Sequence, residues 1–386
     1  MTSTCPSVDS LHALPFAHDR VEAYHQLLGA PDVGITPNGI YLLTGADVVE
    51  HAAKCPEVFS SHAAFSAIGS PVPLVPIEFD PPEHSHYRRA LDRFFSPRSM
   101  AERESTMREL VGELIDEIVA AGDTCELMSA LAIPFPSQMF LSLFGLPLED
   151  KDQLLRWKDA IFGLGGADGV NAPEESQLQL NEMATYLSDC IASRRGGQGN
   201  DLLSQLLGAE SDGLSESEIL GLCIIFVFAG LDTVTAATGF LFNALARDPG
   251  LRQRVIADPS VVPELIEEVL RVDSPVPFVP RITTEEVEIG RVTIPRGAMC
   301  WLVFSAANRD PRRYDEPDEL HQSRSNHFAF GRGVHRCLGS HLARLEMKIM
   351  VEEWNRRIPH YSLVEEPTIK WPNVTLAFGE LNLKIG

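Results

Sequence analysis

Basic residues are scarce in this chain: 32 Lys and Arg stand against 54 Asp and Glu in 386 residues, a formal net charge of −22. Such a surface repels nucleic acid and anionic lipid at long range, so no nucleic-acid partner is expected. An acidic protein partner would have to dock on a locally basic patch. The seven cysteines (5, 55, 125, 190, 223, 300 and 337) are odd in number and include no CxxC pair. That excludes the common zinc-ribbon and dithiol motifs and leaves most of them as free thiols of a reducing cytosol. Residues 1–16 lack the basic start and apolar stretch of a secretory leader, which points to a cytoplasmic protein. The most apolar run, Ile219–Leu231, is too short to span a bilayer and ends at Asp232, so a buried core helix is expected and no membrane anchor. Repeats, low-complexity tracts and linkers are also missing.

With 44% hydrophobic residues the chain can bury a large core. Its length alone favours two domains, but without a linker one domain over 1–386, mainly α with a small β-rich part (α+β), is the better expectation. Asn38-Gly39 between apolar runs predicts a hairpin; a helix is expected over Ala46–Phe59. Ser60–Asp80, rich in Pro, Ala and Val, reads as a long apolar loop of the kind that is often functional. From Pro81 to Asp273 the periodicity is helical, with breaks at Gly122–Thr124, Gly145–Pro147 and Gly163–Pro173. One helix of unusual length, Ser215–Arg247, is apolar on all sides in its middle, as befits a helix through the molecular centre. Strands are expected at Val287–Ile289, Val292–Ile294 and Ala298–Phe304, and a last helix at Leu338–Ile358.

Phe330–Gly339 reads FGRGVHRCLG. Three glycines around one cysteine suggest a tight turn approached closely by something flat or large. Cys337 precedes a helix start, where free N–H groups and the helix dipole favour a thiolate, and a thiolate suits a metal. A zinc site from His335, Cys337 and His341 is a rival; it would leave the glycines unexplained. Midway along the long apolar stretch, Ala229-Gly230-Leu231-Asp232-Thr233 places two cap-loving residues inside a helix. On these residues alone, a Thr hydroxyl bonded to its own helix and an Asp paired elsewhere would be the simpler reading.

Phe330, Gly331, Gly333, His335, Cys337 and Gly339 together resemble the haem-binding loop of the cytochrome P-450 family, and Ala229–Thr233 is similar to its oxygen-activation signature. The resemblance, which runs from about Asp80 to Ala343, is to soluble actinobacterial, including mycobacterial, members. It implies haem b held between the distal helix and the helix after the cysteine loop, with Cys337 as the iron ligand. It also implies room for dioxygen at Ala229 and Gly230, a hydrogen bond from Thr233 to the oxygen being cleaved, and proton relay by Asp232. His84 and Arg88, four apart on one helix face, Arg281 and His335 match the residues that hold the two propionates. Phe330, Gly331 and Gly339 complete the cofactor set. Glu268 and Arg271 match a buried pair supporting the cysteine loop; the third charge of that network falls on Gln322, with Arg324 two residues later.

The activity implied is that of a monooxygenase, inserting one atom of O2 into an apolar small molecule such as a lipid, terpenoid or other natural product. Its electrons would come from a ferredoxin and its reductase. The alternatives are a haem-thiolate isomerase, dehydratase or peroxygenase, and a non-catalytic haem sensor or carrier. Arg88, Arg89, Arg93, Arg332, Arg336 and Arg344 are the candidates for a ferredoxin-docking patch. Phe65, Ile68, Val72, Leu74, Val75, Ile225, Ala229, Val276, Phe278 and Val279 are the candidates for the substrate pocket.

Overall fold

The computed structural model describes residues 5–164, 174–196, 199–208, 213–320 and 326–386. Helix α1 (Arg20–Gly29), capped by the Asp19 carboxylate, leads into hairpin β1 (Val33–Ile35) and β2 (Tyr41–Leu43), turned at Gly39 with φ 81°. Helix α2 (Ala46–Lys54) stops five residues earlier than its periodicity suggests, because Phe59–Ser60 is drawn off as β3 against Ile282 and Thr283. After the apolar loop come α3 (Glu83–Asp92), α4 (Pro97–Ala101) and α5 (Glu104–Ala121). Gly122, at φ 137°, turns α5 into β4 (Thr124–Glu126). Next are α6 (Pro134–Phe144), ended by Gly145 at φ 67°, α7 (Lys151–Leu164), α8 (Glu174–Ser193) and α9 (Leu202–Leu207).

The long central helix is two helices, α10 (Glu216–Gly230) and α11 (Asp232–Arg247), meeting at Leu231. A capping box starts α10: Ser215 caps the Glu218 N–H, and Glu218 reaches back to the Ser215 N–H. The break falls where the sequence places Gly230, Asp232 and Thr233, and the Thr233 hydroxyl donates to the Ala229 carbonyl at 2.9 Å, a bond that bends helices. By length and composition Glu216–Arg247 could cross a membrane, yet 61% of its most apolar window is buried inside the protein. It is the central helix of the fold.

Helices α12 (Pro249–Ala257) and α13 (Val262–Val272) follow, then β5 (Val279–Thr283) and the hairpin β6 (Val287–Ile289) and β7 (Val292–Ile294), whose bounds match the expectation. The next strand, β8 (Met299–Leu302), is shorter than expected: Phe304 opens a short helix, α14 (Phe304–Ala307), and buries its ring beside Phe328. Helix α15 (Ser340–Arg357) is the last; β9 (Tyr361–Leu363), β10 (Ile369–Lys370), β11 (Ala377–Phe378) and β12 (Asn382–Ile385) close the chain. Strands β1-β2-β8-β5-β3 make the largest sheet, in which β2 and β8 run parallel. The β-rich part is thus small and the body helical, as expected.

Candidate active site

A cavity of about 290 Å³ separates the α10–α11 junction from the cysteine loop and the first turns of α15. One wall carries Ile225, Ala229, Gly230, Thr233 and Val234; the other carries Phe330, Gly331, Cys337, Gly339 and Ala343. A Cβ at Gly230 would meet nothing within 4 Å, so this glycine faces open space. His84, Arg88, Arg281 and His335 also line the cavity, so every cofactor residue expected from the sequence borders it.

The loop is built by its glycines. Gly331 and Gly333 have φ 69° and 68°, and the Cys337 N–H closes the turn on the Phe330 carbonyl at 2.8 Å. Any Cβ at Gly333 would overlap the Ala53 carbonyl oxygen. The close approach expected at this glycine is therefore made by α2, not by a flat group. The zinc alternative is not assembled: among the described residues no group of three or more His, Cys, Asp or Glu is placed to hold a metal. Nor does the protein by itself secure a thiolate. Burial raises the Cys337 pKa, and the Gly339 N–H with Arg88, Arg344 and Arg336 only partly opposes it. Binding to a metal cation is what removes the proton from such a thiol.

Arg281 reaches the cavity edge from β5. Its side chain is buried, its Nη1 donates to the Pro280 carbonyl at 2.6 Å, and no carboxylate lies within ion-pair reach among the described residues. Burial pulls its pKa down to about 10, opposed only by Asp80. The buried His84 is pushed down to about 4, by burial first and then by His335 and Arg88. The two imidazoles stand 4.3 Å apart, ring centre to ring centre. Arg88 Nη1 donates to the Arg336 carbonyl at 2.6 Å and its Nε pairs with Asp92 at 3.0 Å. His335 Nε2 lies 3.1 Å from Ser61 Oγ and 3.7 Å from Asp80 Oδ1. Asp80 is held at about 2: burial raises it, but the nearby His335 imidazole and hydrogen bonds from the Ser60 hydroxyl and the Ser61 N–H together outweigh that. Arg281 is thus a buried cation without a carboxylate partner among the described residues, at one edge of the cavity beside His84, His335 and Arg88, and a buried charge in that condition calls for an anionic ligand.

Thr233 stands on the opposite wall while Asp232 is outside the lining, and both make the bonds that the residues alone favoured. Thr233 donates to its own helix; Asp232 Oδ1 is 2.6 Å from Lys158 Nζ on α7. Burial raises the Asp232 pKa against the pull of Lys158. Lys158, also held by Asp159 at 2.8 Å, keeps its proton more firmly than usual despite its own burial. Sequence reasoning missed Lys158, whose signal was only a lysine on an ordinary amphipathic helix, and Glu346. Glu346 lines the cavity, is buried, has no hydrogen-bond or ion-pair partner among the described residues, and is raised by burial to about 8.

Of the expected pocket residues, Phe65, Ile225, Ala229, Val276 and Val279 line the cavity. Leu74 and Val75 are instead core residues holding the apolar loop down, Phe278 stacks on Trp301 at 3.9 Å, and Pro76 and Ile77 take the loop's place in the wall. The Glu268–Arg271 pair is present at 3.0 Å, fully buried, and the carbonyls of Asn308, Pro317 and Glu319 accept the remaining guanidinium protons. Gln322 and Arg324 lie outside the described residues.

Residues 175–354 match the cytochrome P-450 family model. The chain is 34% identical to the erythromycin C-12 hydroxylase of Saccharopolyspora erythraea, over 74% of this chain and 73% of that one. It is 30% identical to the methyl-branched lipid omega-hydroxylase of Mycobacterium bovis, over 86% of this chain and 81% of that one. This chain belongs to the cytochrome P-450 family. A solved P-450 structure, CYP109E1 from Bacillus megaterium in complex with testosterone, superposes with a TM-score of 0.84 at 27% identity, covering 94% of this chain and 96% of that one. P-450 enzymes bind haem b, and related members are hydroxylases of natural products and lipids. The residues here fit that group: a cysteine sulfur opening on the cavity, Gly331 and Gly339 bordering it without side chains, and a buried guanidinium without a carboxylate partner among the described residues.

Proposed function

We propose that this P-450 is a ferredoxin-driven, cytoplasmic monooxygenase that hydroxylates an apolar small molecule. The observation that carries the reading is the pairing of two walls across one cavity, Cys337 on one and Thr233 on the other, with Asp232 next to Thr233 in the chain but bonded to Lys158 outside the lining. Cys337 would ligate the iron, and Arg281, Arg88, His84 and His335 would hold the propionates. Haem with a thiolate ligand supplies dioxygen binding and O–O cleavage.

The protein's own part is protons and exclusion of water. Thr233 Oγ1 lends its hydrogen to Ala229 at rest; turning that hydroxyl toward the cavity offers a donor where cleavage needs one. Asp232, its carboxyl pushed upward by burial and held back by Lys158, is the neighbouring group through which a proton would be relayed. Phe65, Pro76, Ile77, Ile225, Val276 and Val279 keep bulk water out and present an apolar surface, which selects an apolar substrate. The names of the related hydroxylases, which speak of erythromycin and methyl-branched lipid, point the same way.

The docking patch is narrower than the sequence suggested. Arg344 is bound through two hydrogen bonds to Glu267 at 2.6 and 2.7 Å, and Arg332 is bonded to Asn326 over the Phe328 ring. Arg89, Arg93 and Arg336 are exposed and are the charges that would meet an acidic ferredoxin. Turnover with reduced ferredoxin under ¹⁸O2 tests the proposal: one labelled oxygen in the product supports it. Product formed only with hydrogen peroxide, or without any oxidant, assigns a peroxygenase or isomerase instead. Reversing Arg89 and Arg336 to Glu should slow reduction and flatten its salt dependence.

A further inference from the structure

The apolar loop touches the distal helix at a glycine. Gly221 lies one turn before Ile225 and two before Ala229, both in the cavity wall, so it shares their helix stripe. A Cβ at Gly221 would overlap the Pro73 carbonyl oxygen and stand 3.1 Å from the Pro73 carbonyl carbon and 3.6 Å from a Val72 methyl. The loop backbone therefore rests directly on the helix.

The loop cannot yield locally. The Glu78 carboxylate accepts from the Leu74 N–H at 2.8 Å, the Glu78 N–H donates to the Leu74 carbonyl at 3.0 Å, and the Phe79 N–H donates to the Pro76 carbonyl at 3.1 Å. Leu74 and Val75 are fully buried. This closed unit carries Pro76 and Ile77 of the cavity wall. Its other end is tied to the same helix: Phe79 packs edge-on against Tyr87 at 4.9 Å, and the Tyr87 hydroxyl donates to Glu218 at 2.7 Å.

We propose that Gly221 is a specificity-determining position: having no side chain, it lets Pro73 seat on α10, and so fixes how near Pro76 and Ile77 stand to Ile225 and Ala229. A methyl group there lifts the whole unit, since close-packed interiors transmit such displacements. The wall retreats and bulkier ligands are admitted. The inference rests on the apolar-substrate reading of the cavity, and its test keeps the two apart.

In the haem-loaded protein, imidazole and clotrimazole are titrated by absorbance, and amide exchange is followed over residues 72–79. Gly221→Ala should improve the clotrimazole-to-imidazole affinity ratio by about tenfold and speed exchange in that segment, with imidazole affinity unchanged. Tyr87→Phe, which loosens the same unit without adding volume, should shift both readouts the same way by less. An unchanged ratio and unchanged exchange in Gly221→Ala overturn the inference; should that variant not fold, the same result in Tyr87→Phe does so. If the parent protein holds no haem through a thiolate, the proposed function fails, whereas the exchange of residues 72–79 still reports on the Gly221 seat.

Discussion

Lys158 Nζ lies 2.6 Å from Asp232 Oδ1, so the carboxylate at the break of the distal helix is tied to α7 before it is tied to anything in the cavity. The lysine is 9% exposed and the aspartate 19%, which makes this a mostly buried pair. Removing one partner leaves the other charge stranded. Lys158→Gln should destabilise the protein by about 3 kcal/mol, and adding Asp232→Asn should recover part of that loss. A denaturant double-mutant cycle checks this; additive effects would show that the two side chains do not act as a pair.

In the proposed reaction Thr233 would decide whether reducing equivalents end in product. Thr233→Ala removes the cavity's hydroxyl donor without adding charge, and the yield of product per electron pair should fall by at least about tenfold while hydrogen peroxide rises. Thr233→Ser should restore most of the yield. Coupling that survives Thr233→Ala would mean that the reaction does not depend on proton delivery at this step.

Arg281 makes a two-signed prediction. Because its guanidinium is buried and lacks a carboxylate, Arg281→Met should raise the stability of the haem-free protein by removing an uncompensated charge. The same change should weaken haem retention by about tenfold or more, read by transfer of haem to a competing apoprotein. A variant that loses stability in the haem-free form and keeps its haem would show that the residue serves packing and not a propionate.

Glu346 is protonated at neutral pH in the folded protein, its pKa being raised to about 8 by burial. Its folded pKa lies above the unfolded value, so between roughly pH 4.5 and 8 the native state binds more protons than the unfolded one. The contribution of this group is therefore intact below pH 4.5 and is lost as pH rises through 8. Glu346→Gln should match the parent in stability near pH 5 and exceed it by a few kcal/mol near pH 8. Equal pH dependence in the two proteins would place an unseen partner on this carboxyl.

The parts legible in the sequence are those whose cause is local. Gly331 and Gly333 mark left-handed backbone, and the glycines around one cysteine announce a rigid loop, so the Cys337 site could be read residue by residue. The hairpin at Asn38-Gly39 and the strands at Val287–Ile289 and Val292–Ile294 follow from turn chemistry and alternation. What stayed hidden depends on distant neighbours. Nothing in the helical pattern of α7 tells Lys158 that its partner is 74 residues away. Phe304 reads as strand until the ring of Phe328 is placed beside it. Gly221 has no side chain by which to be noticed; only the Pro73 carbonyl resting on it gives it meaning. The break at Leu231 was written in the residues, but the pull of an all-apolar run outweighed a single Asp-Thr pair.

In the proposed function Cys337 would hold the haem iron through its thiolate. The direct measurement is the absorption difference between the dithionite-reduced protein with and without carbon monoxide, taken beside Cys337→Ser. A long-wavelength Soret band is expected in the parent and its loss in the variant. A shorter-wavelength band in the parent, characteristic of a histidine or neutral-thiol ligand, would contradict it.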